Sequence, residues 1–164
     1  MTWGVGKWII SLSVPVYWIQ KGALVSDPPV APGDLVARLF DRTNAHDLDG
    51  LVACFGPDYT LINPVHPSRD FVGPGQVRRN WTVLFAGVPD LVALVHRVVA
   101  DGAQVWVEMT MKGTRRDGMP VHLAGVQVFT VRDGLIRGCR FYVEPVEAAG
   151  VDADGAVQQA AGRP

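Results

Sequence analysis

The chain has 164 residues, the length of one domain with a short appendage. Fifteen lysines and arginines against sixteen aspartates and glutamates give a net charge of -1, and no basic run is present that would bind a nucleic-acid backbone, so nucleic acid is excluded as the expected partner. Hydrophobic residues make up 48% of the chain and charged residues 19%, which is enough apolar side chain for a packed core and excludes global disorder.

Residues 1–32 are predicted to be an extension that precedes the folded domain. Residues 1–24 hold three of the five tryptophans and no acidic residue. The apolar run over residues 8–19 contains Pro15, is too short to cross a bilayer and has no signal-peptide cleavage site, so we expect a cytoplasmic protein with no membrane partner. The composition leaves open a second interpretation, in which translation begins near Val25 and the upstream residues lie outside the true reading frame.

Three helices are predicted in the first half of the domain. The first starts at Asp34, a favourable N-cap residue, and places Leu39 on its apolar stripe. The second is short, begins after Asp47 and carries apolar residues at helical spacing as far as Phe55. The third follows Pro74 and closes before the next proline.

Strand patterns occupy the rest of the domain. Residues 59–63 predict a first strand and Phe71-Val72 a short partner. Four longer alternating segments follow, at residues 91–100, 103–114, 121–131 and 135–143, and Asp-Gly pairs between them indicate hairpins. An α+β domain with an antiparallel meander is therefore predicted over residues 33–147, and residues 148–164 are expected to form a flexible tail.

The two cysteines predict no cross-link and no metal centre. Cys54 and Cys139 stand far apart, outside any disulfide or zinc-binding spacing, and the four histidines are scattered. We expect buried free thiols in a reducing compartment, and neither a metal nor another cofactor.

Several short stretches resemble one known group of proteins. They are Asn-Ala-His-Asp-Leu-Asp-Gly-Leu at residues 44–51, Phe-Val-Gly at 71–73 and Val-Arg-Asp-Gly-Leu-Ile at 131–136. With the predicted element order, they resemble the SnoaL-like branch of the nuclear transport factor two-like superfamily, which includes ketosteroid isomerases, polyketide cyclases, epoxide hydrolases and non-catalytic association modules. The resemblance implies a cone, in which a curved antiparallel or mixed sheet wraps around the three helices and encloses an apolar pocket.

The resemblance to ketosteroid isomerases places their three catalytic positions on Leu39, Asn63 and Gln127. Those enzymes have a tyrosine and two aspartates at these positions. An amide cannot take a proton near neutral pH, so the isomerase mechanism is disfavoured and the question of enzymatic activity stays open.

Alternation along the strands, oriented by the resemblance, predicts which side chains face the pocket. The last strand is expected to turn Gly138, Arg140 and Tyr142 inward. The predicted ligand-binding residues are Leu39, Tyr59, Leu61, Asn63, Arg69, Trp81, Val105, Val107, Met109, Gln127 and Phe129.

His66, Arg140 and Tyr142 are the predicted catalytic residues. Arg140 and Tyr142 would polarise a carbonyl oxygen while His66 moves a proton. The alternative is structural: Arg140 pairs with a glutamate, Tyr142 bonds across the core, and the loop holds a solvated pair between Arg69 and Asp70.

Two functions are therefore expected, beside a membrane-tethered version held by residues 3–19 as a third hypothesis. The first is binding of a small hydrophobic oxygenated molecule, polyketide-, steroid- or terpenoid-like, with isomerase-, cyclase- or hydrolase-type acid–base activity left open. The second is a non-catalytic homodimeric association module with a vestigial pocket. The resemblance implies that dimers form through the outer face of the sheet, where the predicted contact residues are Trp106, Thr110, His122 and Val126.

Overall fold

The computed structural model describes residues 31–162, and the predictions for residues 1–30 lie outside that range. The helices are α1 (Pro32–Asn44), α2 (Leu48–Val52), α3 (Pro74–Gly87) and α4 (Ala153–Ala160). The strands are β1 (Phe55–Ile62), β2 (Phe71–Val72), β3 (Val92–Asp101), β4 (Gln104–Thr114), β5 (Pro120–Arg132) and β6 (Leu135–Pro145).

All six strands form one mixed sheet in the order β2-β1-β6-β5-β4-β3. Strands β3 to β6 make an antiparallel meander, β1 runs parallel to β6, and β2 pairs antiparallel with β1. The turns use the predicted Asp-Gly pairs, and Gly102 and Gly134 have the positive φ that these turns require. The predicted α+β class and the cone fold, with its sheet around the helices, are confirmed.

Helix α1 packs its apolar stripe on the inner face of the sheet. Leu35, Val36, Leu39 and Phe40 are buried there, and the Phe40 ring meets Phe129 of β5 edge to face at 6.4 Å. The helix begins earlier than predicted, because Pro32 occupies its first turn and Ala31 the N-cap position, so Asp34 lies within the first turn.

Phe55 belongs to β1, although its helical spacing predicted that it would end the second helix. Helix α2 stops at Val52, and Phe55 pairs with Ile136 of β6. Its ring packs against Tyr59 with the centroids 4.6 Å apart. Strand pairing and aromatic packing therefore override the local helical pattern.

Two side chains fix the corner between α1 and α2 to the start of β3. The Asn44 amide donates to the Ala93 carbonyl at 3.0 Å and accepts from the Ala93 N–H at 2.8 Å, as a neighbouring strand would. His46 Nε2 donates to the Leu91 carbonyl at 2.9 Å, and its ring stacks on Phe85 of α3 at 4.4 Å. This corner therefore positions both α1 and α3 against the sheet.

A β-bulge in β6 decides which of its side chains face the core. Val131 of β5 pairs with Ile136, whereas its neighbour Thr130 pairs with Gly138, so Arg137 is an extra residue in β6. Ile136 is fully buried. An extra residue after Ile136 exchanges the two faces of the strand from that point onward.

The side chains of β6 that face inward beyond the bulge are Cys139, Phe141 and Val143. The prediction that Gly138, Arg140 and Tyr142 face inward is therefore wrong. It assumed strict alternation along the whole strand, whereas the bulge moves every position after Ile136 by one.

The C-terminal stretch that was expected to be flexible contains α4. The Asp152 side chain caps it by accepting from the Gly155 N–H at 2.9 Å, and none of its residues is buried. Across residues 31–162, no helix is both long and apolar enough to cross a bilayer.

Candidate functional site

A cavity of about 280 Å³ lies between α1, α3 and the inner face of the sheet. This volume lies at the lower end of the range of small-molecule sites, whose volumes are about 300 Å³ and upward. A dry apolar cavity of about 150 Å³ holds benzene, so this cavity suits a ligand of about two rings or a chain of similar volume.

Most of the predicted ligand-contacting side chains line this cavity. They are Leu39, Tyr59, Leu61, Asn63, Arg69, Trp81, Gln127 and Phe129. Val105, Val107 and Met109 also face inward and are fully buried, but they pack in the core and do not line the cavity. The cavity-lining residue of β4 is Met111, two positions further along the same face. Alternation predicts the face of a strand and not the point along it where the cavity lies.

The other lining residues are mostly apolar and were not among the predicted ligand contacts. They are Phe55, Phe71, Val77, Asn80, Leu84, Met111, Leu123, Cys139 and Phe141. Val77 and Leu84 share the helical stripe of Trp81 at i, i+4 and i+7, a signal that could have identified them. Cys139 and Phe141 could not be identified without the bulge in β6.

Asn63 presents a hydrogen-bond donor to the cavity. Its backbone N–H donates to Asp70 Oδ1 at 2.7 Å, and its side-chain Oδ1 accepts from the His66 N–H at 2.9 Å. These two bonds hold the residue after β1, where it is 3% exposed. Since Oδ1 is engaged by the loop, Nδ2 is left to donate to a ligand.

Gln127 has both ends of its amide nearly unengaged. Its Nε2 lies 3.8 Å from Met109 Sδ, and its Oε1 lies 4.0 Å from Cys139 Sγ. Sulfur is a weak partner for an amide, and both contacts are long. The amide is therefore free to bond an oxygen of a bound molecule.

Tyr59 and Cys139 are adjacent neutral groups in the cavity wall. Burial raises the pKa of the Tyr59 phenol above its ordinary value, and the neighbouring Cys139 raises it further. Burial also raises the pKa of the Cys139 thiol to about 12. The Tyr59 hydroxyl is hydrogen-bonded to the Cys139 sulfur, and near neutral pH both groups keep their protons, so neither can act as a base.

Arg69 is the single charged residue among the described residues that line the cavity. It is the last residue of a 3-10 turn at Pro67–Arg69, is exposed, and forms no ion pair with any residue from 31 to 162. The alternative interpretation, a pair between Arg69 and Asp70, is not found in this part of the chain; Asp70 Oδ1 accepts the Asn63 N–H.

The three predicted catalytic residues do not line the cavity. His66 Nε2 lies 3.1 Å from Glu144 Oε2, on the outer side of β6, and Glu144 Oε1 is buried without a partner among the described residues. On the same outer face, Arg140 Nε donates to Tyr142 Oη at 3.1 Å. The placement of His66, Arg140 and Tyr142 around the cavity was therefore wrong, since the bulge turns β6 over and Glu144 holds His66 outside.

The chemistry of the cavity is that of a hydrogen-bond donor set in an apolar wall. Among the described lining residues there is no carboxylate and no imidazole, so no group there can take a proton near neutral pH. Within residues 31–162 no three His, Cys, Asp or Glu side chains lie close enough to hold a metal ion. The donors can bind oxygens that accept hydrogen bonds.

Residues 36–138 match the family model of the SnoaL-like domain. The match covers more than half of the chain, and its span includes both the helices around the cavity and most of the sheet. The chain therefore belongs to the SnoaL-like domain family. None of the curated proteins compared with the chain matches it.

Solved structures of similar fold include three with informative names. IdmH, a candidate polyketide cyclase from Streptomyces antibioticus, is 22% identical with a TM-score of 0.61, over 70% of this chain and 92% of IdmH. A candidate SnoaL-like polyketide cyclase from Jannaschia sp. CCS1 is 23% identical with a TM-score of 0.61, over 87% of this chain and 100% of the cyclase. An LEH-like epoxide hydrolase from M. tuberculosis is 24% identical with a TM-score of 0.59, over 67% of this chain and 80% of the hydrolase. These likenesses show the fold.

Proposed function

We propose that the chain binds a small hydrophobic molecule bearing oxygens that accept hydrogen bonds, of a polyketide-, steroid- or terpenoid-like kind, with a part of about two rings inside the cavity. The observation that carries this proposal is the pair of amide donors, Asn63 and Gln127, in a mostly apolar cavity of about 280 Å³. The names of the similar structures, polyketide cyclase and epoxide hydrolase, fit an oxygenated ligand.

The proposed function is binding without acid–base catalysis by the cavity. Asn63 and Gln127 stand where the resemblance places carboxylates, and the pKa of Cys139 is raised to about 12 by burial. A bound ketone would be polarised by donors, and proton removal would need a base that the described lining lacks.

The test compares two probes of nearly equal shape, the ketone 2-acetonaphthone and the hydrocarbon 2-isopropenylnaphthalene. The hydrocarbon has a methylene group where the ketone has its carbonyl oxygen. Binding is measured by isothermal titration calorimetry at pH 7. We expect the ketone to bind about five- to tenfold more tightly, since one hydrogen bond contributes about 1 kcal/mol. Gln127→Leu is expected to reduce the ratio of ketone affinity to hydrocarbon affinity. The matched control, Gln104→Leu at an exposed strand position, is expected to leave that ratio unchanged. Equal binding of both probes would contradict the donor argument.

The exposed outer face of the sheet supports a second proposal, that two copies of the chain pair through it. Trp106 of β4 is 51% exposed there and lies beside Val99 of β3, which is 52% exposed. His122 and Val126 of β5 share that face. Thr110 of β4 lies on it too but is buried, and its hydroxyl is hydrogen-bonded to His96 Nε2 at 2.7 Å. Apolar side chains clustered on one sheet face are typical of a two-fold interface.

Two further proposals concern location and organisation. We propose a cytoplasmic chain, because Cys54 and Cys139 are both buried free thiols, which suits a reducing compartment. We also propose that residues 33–147 form the binding domain, with residues 1–32 and 148–164 as flanking segments. The family match at residues 36–138 falls inside this domain.

A further inference from the structure

Arg69 is a positive charge at the rim of an apolar cavity, and a neutral ligand would leave it without a partner. The cavity wall is built mainly from aromatic and aliphatic side chains, and Arg69 is its one charged member among the described residues. No carboxylate between residues 31 and 162 lies within ion-pair distance of it. The nearest acid in sequence, Asp70, is engaged by the Asn63 backbone.

A second polar group of the lining is also arranged as a donor. Asn80 of α3 accepts a hydrogen bond from Gln76 Nε2 through its Oδ1 at 2.7 Å. With its oxygen engaged, the Asn80 amide has its two N–H bonds left for a ligand. Arg69 and Asn80 are both exposed, so they form the part of the lining that solvent reaches.

We infer that the ligand is a hydrophobic monocarboxylic acid, whose mostly apolar, oxygen-bearing body fills the cavity and whose carboxylate binds Arg69 at the rim. This inference rests on the proposed function, because it names the class of molecule that the same cavity binds. A guanidinium presents two parallel N–H donors that match a carboxylate. Arg69 is the one cation among the described lining residues, and a single cation balances a single negative charge, which favours a monocarboxylate over a phosphate ester.

The contribution of the pair is expected to be moderate. Ion pairs in full contact with water contribute little, whereas a charged hydrogen bond at the edge of an apolar wall is screened less. We therefore expect the acid to bind about tenfold more tightly than a neutral isostere. The same acid is expected to lose part of that advantage at 0.5 M sodium chloride, because the rim is open to solvent and salt screens the pair there.

The experiment compares 2-naphthylacetic acid with 2-naphthylacetamide, which has the same shape and keeps the carbonyl oxygen but carries no charge. Both are titrated into the full chain at pH 7 by calorimetry, at low salt and at 0.5 M sodium chloride. Three variants follow: Arg69→Gln, Arg69→Lys and, as a charge-matched control, Arg38→Gln. Arg38 is exposed on α1 and does not line the cavity.

In the parent chain we expect the acid to bind about tenfold more tightly than the amide. Arg69→Gln should bind the acid and the amide with equal affinity, and Arg69→Lys should keep part of the preference for the acid. Arg38→Gln should keep all of that preference. An amide that binds as tightly as the acid would overturn the inference and leave the proposed function standing. Equal loss of preference in Arg38→Gln would overturn it too, since overall charge would then be the cause. If the acid and the amide do not bind, and 2-acetonaphthone and 2-isopropenylnaphthalene do not bind either, both the proposed function and the inference are contradicted.

Discussion

At the scale of single residues, the Gln127 side chain is expected to strengthen ligand binding and to lower the stability of the fold. Its half-buried amide gives up part of its hydration on folding and gains only long contacts to the Met109 and Cys139 sulfurs. Replacing it with leucine, of similar size, should raise the free energy of unfolding by about 1 kcal/mol while weakening 2-acetonaphthone binding. Urea denaturation measures the first effect. A loss of stability above 1 kcal/mol would show instead that the Gln127 amide holds the core together.

Cys139 is expected to be inert in the folded chain. Burial raises the pKa of its thiol to about 12, so the thiol stays protonated at every pH below that value and the reactive thiolate is scarce at pH 8. Iodoacetamide at pH 8 should leave Cys139 unmodified in the folded protein and alkylate it in 8 M urea, as read by peptide mass spectrometry. Rapid labelling of the folded chain would contradict the burial of this residue.

The donor arrangement of the cavity could be predicted from the sequence only in part. Asn63, Gln127 and Arg69 were expected at the pocket, and they line it. Their roles as donors depend on which oxygens the loop engages, such as Asn63 Oδ1 with the His66 N–H. No pattern in the sequence specifies such a bond between loop residues.

At the scale of elements, Asn44 joins α1 to the edge strand β3. Its amide makes hydrogen bonds of 3.0 and 2.8 Å to the carbonyl and N–H of Ala93. Asn44→Ala should lower the free energy of unfolding by about 2 kcal/mol, because it leaves two half-buried backbone groups unpaired. Asn44→Asp keeps the acceptor and should lose about half as much. Equal stability of Asn44→Ala and the parent chain in thermal unfolding would contradict this role.

Gly125 permits the close approach of β5 and β6. Its φ is 153°, and a Cβ at this position would collide with the Tyr142 carbonyl oxygen and lie 2.8 Å from Val143 Cα. Gly125→Ala should therefore destabilise the chain by about 3 kcal/mol or more. Gly118→Ala, at a turn where nothing lies within 4 Å, should cost only about 1 kcal/mol. Similar melting temperatures for the two variants would contradict the steric argument.

Most elements could be predicted because their signals are local. The Asp-Gly turns and alternating segments predicted β3 to β6, and the stripe that includes Trp81 predicted α3. The bulge at Arg137 is a property of the pairing between β5 and β6, so alternation within β6 could not reveal it. That single extra residue moved Arg140 and Tyr142 from the expected cavity to the outer face.

At the scale of the whole molecule, the outer face carries the prediction of a dimer. Trp106→Asp places a charge at the centre of the proposed interface, so light scattering should find monomers where the parent chain gives dimers. Val83→Asp is the control, because Val83 is 72% exposed on α3 and lies away from that face. Persistent dimers in Trp106→Asp would remove this face from the interface.

The central claim is that the cavity holds a small oxygenated molecule, and native mass spectrometry of the chain purified without detergent tests it most directly. We expect a bound compound of a few hundred daltons, in keeping with a cavity of about 280 Å³. We also expect its loss in Leu84→Trp, which fills the cavity from α3. A protein that is empty as purified and stays empty with 2-acetonaphthone added in excess would contradict the claim.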